Sequence, residues 1–168
     1  MNDLKSFIAN IRDFPKPGIL FRDITPLLRS HFSATIDALD MLFTDAQWQE
    51  FDVVAGIESR GFILAAALAA RRGKGFVPIR KQGKLPPPIV KVAYSLEYGS
   101  DVLEMQHGNG NVLLVDDVIA TGGTMQAACM LCEKAGYQVG GLSVLIDLCF
   151  IPPLQWHQVT LRSAISYE

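Results

Sequence analysis

The residues best placed to do chemistry lie in Val112-Leu-Leu-Val-Asp-Asp-Val-Ile-Ala-Thr-Gly-Gly-Thr124. An apolar strand delivers two adjacent carboxylates, Asp116 and Asp117, to its C-terminal end, where open parallel sheets bind their ligands. Ala120-Thr-Gly-Gly-Thr124 then forms a small-residue loop that opens a helix. Its glycines permit close backbone approach, its free N–H groups and the helix dipole favour an anion, and Thr121 and Thr124 add hydroxyl donors. The loop reads as a phosphate cradle. No lysine follows the glycines and no G-x-G-x-x-G is present, so it is neither a Walker loop nor a dinucleotide fingerprint.

Charge elsewhere points the same way. The chain has a net charge of −2, which argues against a nucleic-acid binder. Yet residues 59–96 hold eight cations (Arg60, Arg71, Arg72, Lys74, Arg80, Lys81, Lys84, Lys91) and no acid. Such a zone in an acidic chain predicts a cationic field for a small polyanion. Other candidates are weak. Cys129 and Cys132 have C-x-x-C spacing but fall inside a predicted helix, which favours buried packing over metal or redox work. His31, His107 and His157 match no triad or ligand spacing.

The elements that must position these groups follow from the apolar pattern. With 168 residues, 49% of them hydrophobic, the chain can close one sizeable core and is not disordered. Its longest apolar runs are too short to cross a bilayer, so no membrane partner is expected. The first residues lack a secretory pattern, and three cysteines make no disulfide framework, so a reducing, cytoplasmic setting is expected.

Leu4, Phe7, Ile8 and Ile11 share a helical face and predict a short N-terminal helix, ended by Pro15 and Pro17. A second helix, capped by Ser30 or Ser33, is expected to carry Ile36, Leu39, Leu42 and Phe43. A strand is predicted over 51–57, a turn over 58–61 and a helix over 62–72. Next come a short strand over 75–79, demoted towards an edge by Pro78, and a strand over 111–115. A loop over 116–124, a helix over 125–135 and a strand over 139–148 complete the pattern. Residues 89–95 and 101–106 alternate as a hairpin whose tip holds Glu97 and Tyr98, entered through the basic stretch 81–88. This predicts an α/β fold: a mostly parallel central sheet with helices on both faces. A small N-terminal hood (1–30) and an inserted hairpin lid with its flexible loop (81–106) belong to a single domain, 1–168.

The Asp-Asp pair and Ala-Thr-Gly-Gly-Thr run resemble the phosphoribosyl pyrophosphate motif of the type I phosphoribosyltransferases. Further landmarks are Phe14-Pro-Lys-Pro-Gly-Ile-Leu-Phe-Arg-Asp-Ile24, Ala55-Gly-Ile-Glu-Ser-Arg-Gly-Phe62, Ile79-Arg-Lys-Gln-Gly-Lys-Leu-Pro86 and Tyr94-Ser-Leu-Glu-Tyr-Gly99. They narrow the resemblance to the adenine phosphoribosyltransferases, in family order, from about residue 13 to residue 148. The resemblance implies transfer of the phosphoribosyl group of 5-phosphoribosyl 1-pyrophosphate to adenine, giving AMP and pyrophosphate in purine salvage. It also implies a homodimer, and Mg2+ held mainly by substrate oxygens instead of protein ligands.

Position by position, the resemblance assigns Ala120, Thr121, Gly122, Gly123 and Thr124 to the 5-phosphate. Asp116, Asp117 and Tyr98 fall to the ribose, and Glu58, Ser59, Arg60, Gly61, Arg80, Lys81 and Lys84 to pyrophosphate. Main-chain groups of Leu20 and Arg22 would read adenine while Phe21 stacks on it. Glu97 would be the acid or base, and Arg60 the cation gripping the leaving group. The proline triplet 86–88, Ser100 and a shortened tail depart mildly from the family pattern. A 6-oxopurine enzyme would want a donor to the oxo group near residues 146–150, and none is present. A non-catalytic sensor of the same sugar phosphate would want a nucleic-acid module, for which there is no room.

Overall fold

The chain begins, in a computed structural model that describes residues 4–96 and 99–167, with a 3-10 turn over Leu4–Phe7 and a strand, β1 (Ala9–Arg12). β1 pairs antiparallel with β2 (Leu20–Asp23), placing Ile11 opposite Phe21. The helix expected over 4–11 is therefore not formed. Leu4 and Ile8 are buried as expected, but Ile11 is 43% exposed, and β2 satisfies backbone groups that a four-residue turn could not.

Helix α1 (Thr25–Asp40) starts earlier than either serine suggested. The Asp23 carboxylate accepts the Thr25 N–H at 2.9 Å, and Pro26 sits in the first turn, where its missing donor costs nothing. The helix kinks at His31, next to the expected start. A helix not foreseen, α2 (Asp45–Glu50), is opened by a capping box between Thr44 and Gln47.

Strand β3 (Val53–Ile57) leads into α3 (Arg60–Arg72), which Gly73 ends in the left-handed conformation at φ 62°. β4 (Gly75–Lys81) follows, then the hairpin β5 (Ile89–Leu96) and β6 (Gly99–Gln106). β7 (Gly110–Ile119) runs past the expected end, so Asp116 and Asp117 stand on a strand and not in a loop. α4 (Gly123–Ala135) and β8 (Tyr137–Asp147) come next. The last residues form a small hairpin, β9 (Gln155–Trp156) and β10 (Val159–Thr160), and a sheet strand, β11 (Arg162–Ser166).

Seven strands form one sheet in the order β11-β8-β7-β3-β4-β6-β5. The first five are parallel, and β6 and β5 add antiparallel. β4 is interior to the sheet, yet β6 pairs it only at Arg80 and Lys81, so Pro78 lies where β3 is the sole neighbour and its missing N–H is tolerated. Strand alternation splits the core between two faces. Val54, Leu113 and Val115 pack with α1 and α3, while Ala55, Val112 and Leu114 pack with α4. Cys129 and Cys132 are fully buried in the second layer, as packing residues should be. Among the described residues no helix is long and apolar enough to cross a membrane.

Candidate active site

After β3 the chain goes to β4 on one side of it and later to β7 on the other. The loops leaving β3 and β7 therefore diverge, which opens a crevice at their C-terminal ends. A cavity of about 370 Å³ lies there, lined by residues 57–60, Lys81 and residues 116–125. It gathers Glu58, Ser59, Arg60, Lys81, Asp116, Asp117, Ala120, Thr121, Gly122, Gly123 and Thr124 from the set expected at the site.

The 120–124 loop is shaped for close approach. Gly122 caps α4 at φ 81°, and a side chain there would press on Ile151 and Leu154, which cover the loop from behind. The Gly122 carbonyl accepts the Gln126 N–H, so the first amides of α4 point into the cavity mouth without intrahelical partners.

The facing loop is drawn tight against β7. A Cβ on Gly61 would stand 2.8 Å from Asp116 Oδ1 and 3.0 Å from the Val115 carbonyl, so only glycine lets α3 start this close to the carboxylates. Gly61 does not line the cavity; it sets its width. The Glu58–Ser59 peptide is cis. Arg60 Nη2 stands 2.7 Å from Asp117 Oδ2, and its guanidinium lies 5.1 Å from the centre of the Phe21 ring. Burial, and then the Asp117 charge beside it, push the Asp116 carboxyl well above the usual carboxylate range. Asp116 Oδ1 accepts the Asp117 N–H at 2.9 Å.

Arg80 and Lys84 do not line the cavity; both converge on Glu58, which does. Lys84 Nζ donates to Glu58 Oε1, while Arg80 Nε lies 3.4 Å and the Lys81 N–H 2.9 Å from Oε2. Burial alone would raise the Glu58 carboxyl, but these donors outweigh it and the net shift is downward. Lys81 Nζ donates to Asp101 and to the Tyr94 hydroxyl at 3.0 Å, so the cation is held at the base of the hairpin. Its pKa is raised: burial works against the charge, and the Asp101 and Tyr94 bonds exceed it.

Leu20 and Arg22 do not line this cavity. Leu20 is 44% exposed on the β1–β2 hairpin, and Arg22 points away to bond Asn10 and lie 4.0 Å from the Tyr167 ring centre. Phe21 alone of that segment touches the site, through Arg60 and, edge-on, Phe14. Glu97 and Tyr98 lie outside the described residues. The acid-free zone is not one cationic field. Seven of its eight cations have a carboxylate within 4 Å, and Arg71 and Arg72 sit at the far end of α3 on Asp37, Asp40 and Asp45.

Three polar residues beside the site were missed from sequence: Asp101, Tyr94 and, above all, Glu104. Glu104 is on the face of β6 opposite the core residues Leu103 and Met105, yet is fully buried, and accepts N–H bonds from Gly83, Lys84 and Leu85 at 3.0, 2.7 and 2.8 Å. The signal was an acid between Leu103 and Met105, in a strand whose pairing had yet to be known.

Comparison with known proteins agrees with this geometry. The phosphoribosyl transferase domain family matches residues 33–148. An adenine phosphoribosyltransferase of Hydrogenovibrio crunogenus is 52% identical over 166 residues, covering 98% of this chain and 96% of its own. The chain belongs to the adenine phosphoribosyltransferase family. A Bdellovibrio bacteriovorus member is 50% identical over 98% of this chain and 99% of its own. The family enzyme of Rhodothermus marinus superposes with a TM-score of 0.84 at 43% identity, covering 97% and 96% of the two chains. That of Saccharomyces cerevisiae, crystallised with an imino-altritol bisphosphate and adenine, gives 0.82 at 40% identity over 88% of each.

Proposed function

We propose that the crevice between β3 and β7 transfers the phosphoribosyl group of 5-phosphoribosyl 1-pyrophosphate to adenine, releasing pyrophosphate and forming AMP. The observation that carries this is the meeting, in one cavity, of an anion-binding helix start, a carboxylate pair and cations on the opposite wall. In this reading the 5-phosphate sits on residues 120–124, where α4 amides and the Thr121 and Thr124 hydroxyls donate to it. The ribose hydroxyls donate to Asp116 and Asp117. As the bond to pyrophosphate breaks, positive charge on the ring is stabilised by these carboxylates, and an adenine nitrogen takes the anomeric carbon. The departing charge falls to Arg60 and to Lys81, Arg80 and Lys84, with the amides of residues 58–61 beneath it. Glu97 is assigned the proton transfer and Tyr98 the ribose cover.

Magnesium suits this site. Its hard-oxygen preference matches phosphate and ribose oxygens, and the adjacent Asp116 and Asp117 carboxylates supply negative charge at the same cavity wall. The ion would be held mainly by substrate oxygens, with no direct ligand from the protein and the Asp116 and Asp117 carboxylates on the ribose side of it. When bound, it neutralises phosphate charge. Residues 1–168 act as one domain, with 1–30 as a hood in which Leu20, Phe21 and Arg22 read the base, and 81–106 as a lid. A homodimer is proposed from the family. The exposed free thiol of Cys149, with the other two cysteines also free, supports a reducing cytoplasm.

The test is direct. Purified protein is given magnesium, phosphoribosyl pyrophosphate and each of adenine, hypoxanthine, guanine and xanthine. A site built for an amine donor should favour adenine over hypoxanthine by ~10⁴-fold. Comparable turnover of the two would overturn the assignment.

A further inference from the structure

We propose that Glu104 is a positioning residue for phosphoribosyl pyrophosphate: an internal anion around which residues 83–85 fold, so that Lys84 and Arg80 are held together on Glu58 at the pyrophosphate side of the cavity. The proposal rests on the functional reading above. It starts from a buried charge that otherwise has no task. A carboxylate with no exposed surface is strongly destabilising unless its oxygens are matched by donors. Here nearly all the matching is done by main chain. Oε1 takes the N–H groups of Lys84 and Leu85, and Oε2 takes that of Gly83, with Lys91 Nζ 3.8 Å from Oε2.

Three successive amides turned onto one anion form a nest, the geometry by which loops bind phosphate. In this chain the nest is closed by the protein's own carboxylate. Gly83 has φ 84°, a conformation that suits glycine and lets its amide turn inward beside the next two. Burial raises the Glu104 carboxyl and the three amides more than reverse this, so it stays ionised.

The consequence appears on the other side of the loop. β4 and β6 pair only at Arg80–Glu104 and Lys81–Leu103, so the carboxylate sits directly across from the first cation. With its amide pinned, Lys84 sends its carbonyl to Arg80 Nη1 at 3.2 Å and its ammonium to Glu58, which lines the cavity. Arg80, Lys84 and Glu58 thus form one cluster whose shape depends on the 83–85 backbone. Lys81 is held separately, by Asp101 and Tyr94. Glu104 reaches none of the reacting groups itself; it acts through the backbone that bears them.

The experiment compares E104Q, E104D and K84A. Glutamine keeps the size but turns an amide donor towards one of the three N–H groups. E104Q should raise KM for phosphoribosyl pyrophosphate about tenfold while leaving KM for adenine within about twofold, and amide exchange at residues 83–85 should accelerate. E104D, which keeps the charge, should restore most of the loss. Lys84 is exposed, so K84A leaves the core intact and must itself raise the same KM. If Glu104 works through Lys84, the double variant should be little worse than K84A alone.

Equal rises in both KM values, or none in the sugar-phosphate KM while the 83–85 amides loosen, would overturn the proposal. So would an unchanged KM in K84A, a result that stands even if E104Q fails to fold. Failure of the functional reading is separable, because the parent protein would then show no transfer to adenine at all.

Discussion

Asp116 carries two opposed demands. Burial and the neighbouring Asp117 raise its pKa, so the fold favours the protonated form over the charged one that the proposed ribose contact would use. For a group raised in this way the penalty is absent below the unfolded pKa of about 3.9 and grows as pH rises towards the native value. D116N should therefore melt a few degrees higher than the parent at pH 7, show no advantage near pH 3, and lose most of its turnover. A variant that melts lower at pH 7 would mean that the charge is already compensated, by Arg60 or otherwise. Glu97→Gln tests another single group: if Glu97 moves the proton, turnover should drop by roughly 10² to 10⁴-fold with little change in sugar-phosphate binding. Turnover within a few-fold of the parent would leave it as a lid residue. At this scale the sequence was most informative where chemistry and spacing coincide, as in 116–124. It was silent on Glu104, because nothing local distinguishes a buried acid on a strand from an exposed one.

Elements show where local pattern and tertiary pairing part company. Residues 4–11 have helical spacing, yet residues 9–12 pair with β2, eight to fourteen positions on, and pairing prevailed. The end of β7 was misplaced because aspartates are poor strand formers, while β8 continues beside Asp116 and Val118 and holds the strand extended. The tail, blank in sequence, supplies β11 and a clamp. Tyr167 lies with Lys5 Nζ at 4.2 Å and Arg22 at 4.0 Å from its ring centre, tying the β1–β2 hairpin to the sheet edge. Y167A should raise KM for adenine by about two- to fivefold, the worth of an exposed cation–π contact, and leave the sugar-phosphate KM alone; Y167F should behave as the parent. Equal movement of both constants would refute a hood-specific role. Gly61 gives a sharper test of element spacing. G61A drives a methyl into Asp116 and the Val115 carbonyl, so turnover should fall at least ~10-fold and the melting temperature by several degrees, since backbone must yield. Parent-like turnover would show that the two loops have slack.

Across the whole molecule, charge is organised by pairing and not by segment. The cations of 59–96 looked like a field only because their carboxylates come from α1, α2, β6, β7 and the β3–α3 turn. Those pairs make a stability prediction with a definite sign. Asp23 is lowered by its bonds from the Thr25 side chain and amide. In Glu58, Asp101 and Glu104 burial pushes upward, but donors from Lys84 and Lys81, from Lys81 and Val102, and from the 83–85 amides bring each below its ordinary value. A carboxylate depressed in the fold binds fewer protons there than in the unfolded chain, so its contribution is complete above about pH 5 and is lost as pH falls through the native pKa. Asp116 works in the opposite sense, but it is one group against four. The urea midpoint should hold steady from pH 7 to about pH 5 and then fall towards pH 3. E104Q should start lower and fall less steeply, because its neutral side chain has no proton to take up. A midpoint flat to pH 3, or an E104Q curve parallel to the parent's, would mean that these carboxylates are no better placed in the fold than in water, and that the loop they anchor owes its shape to something else.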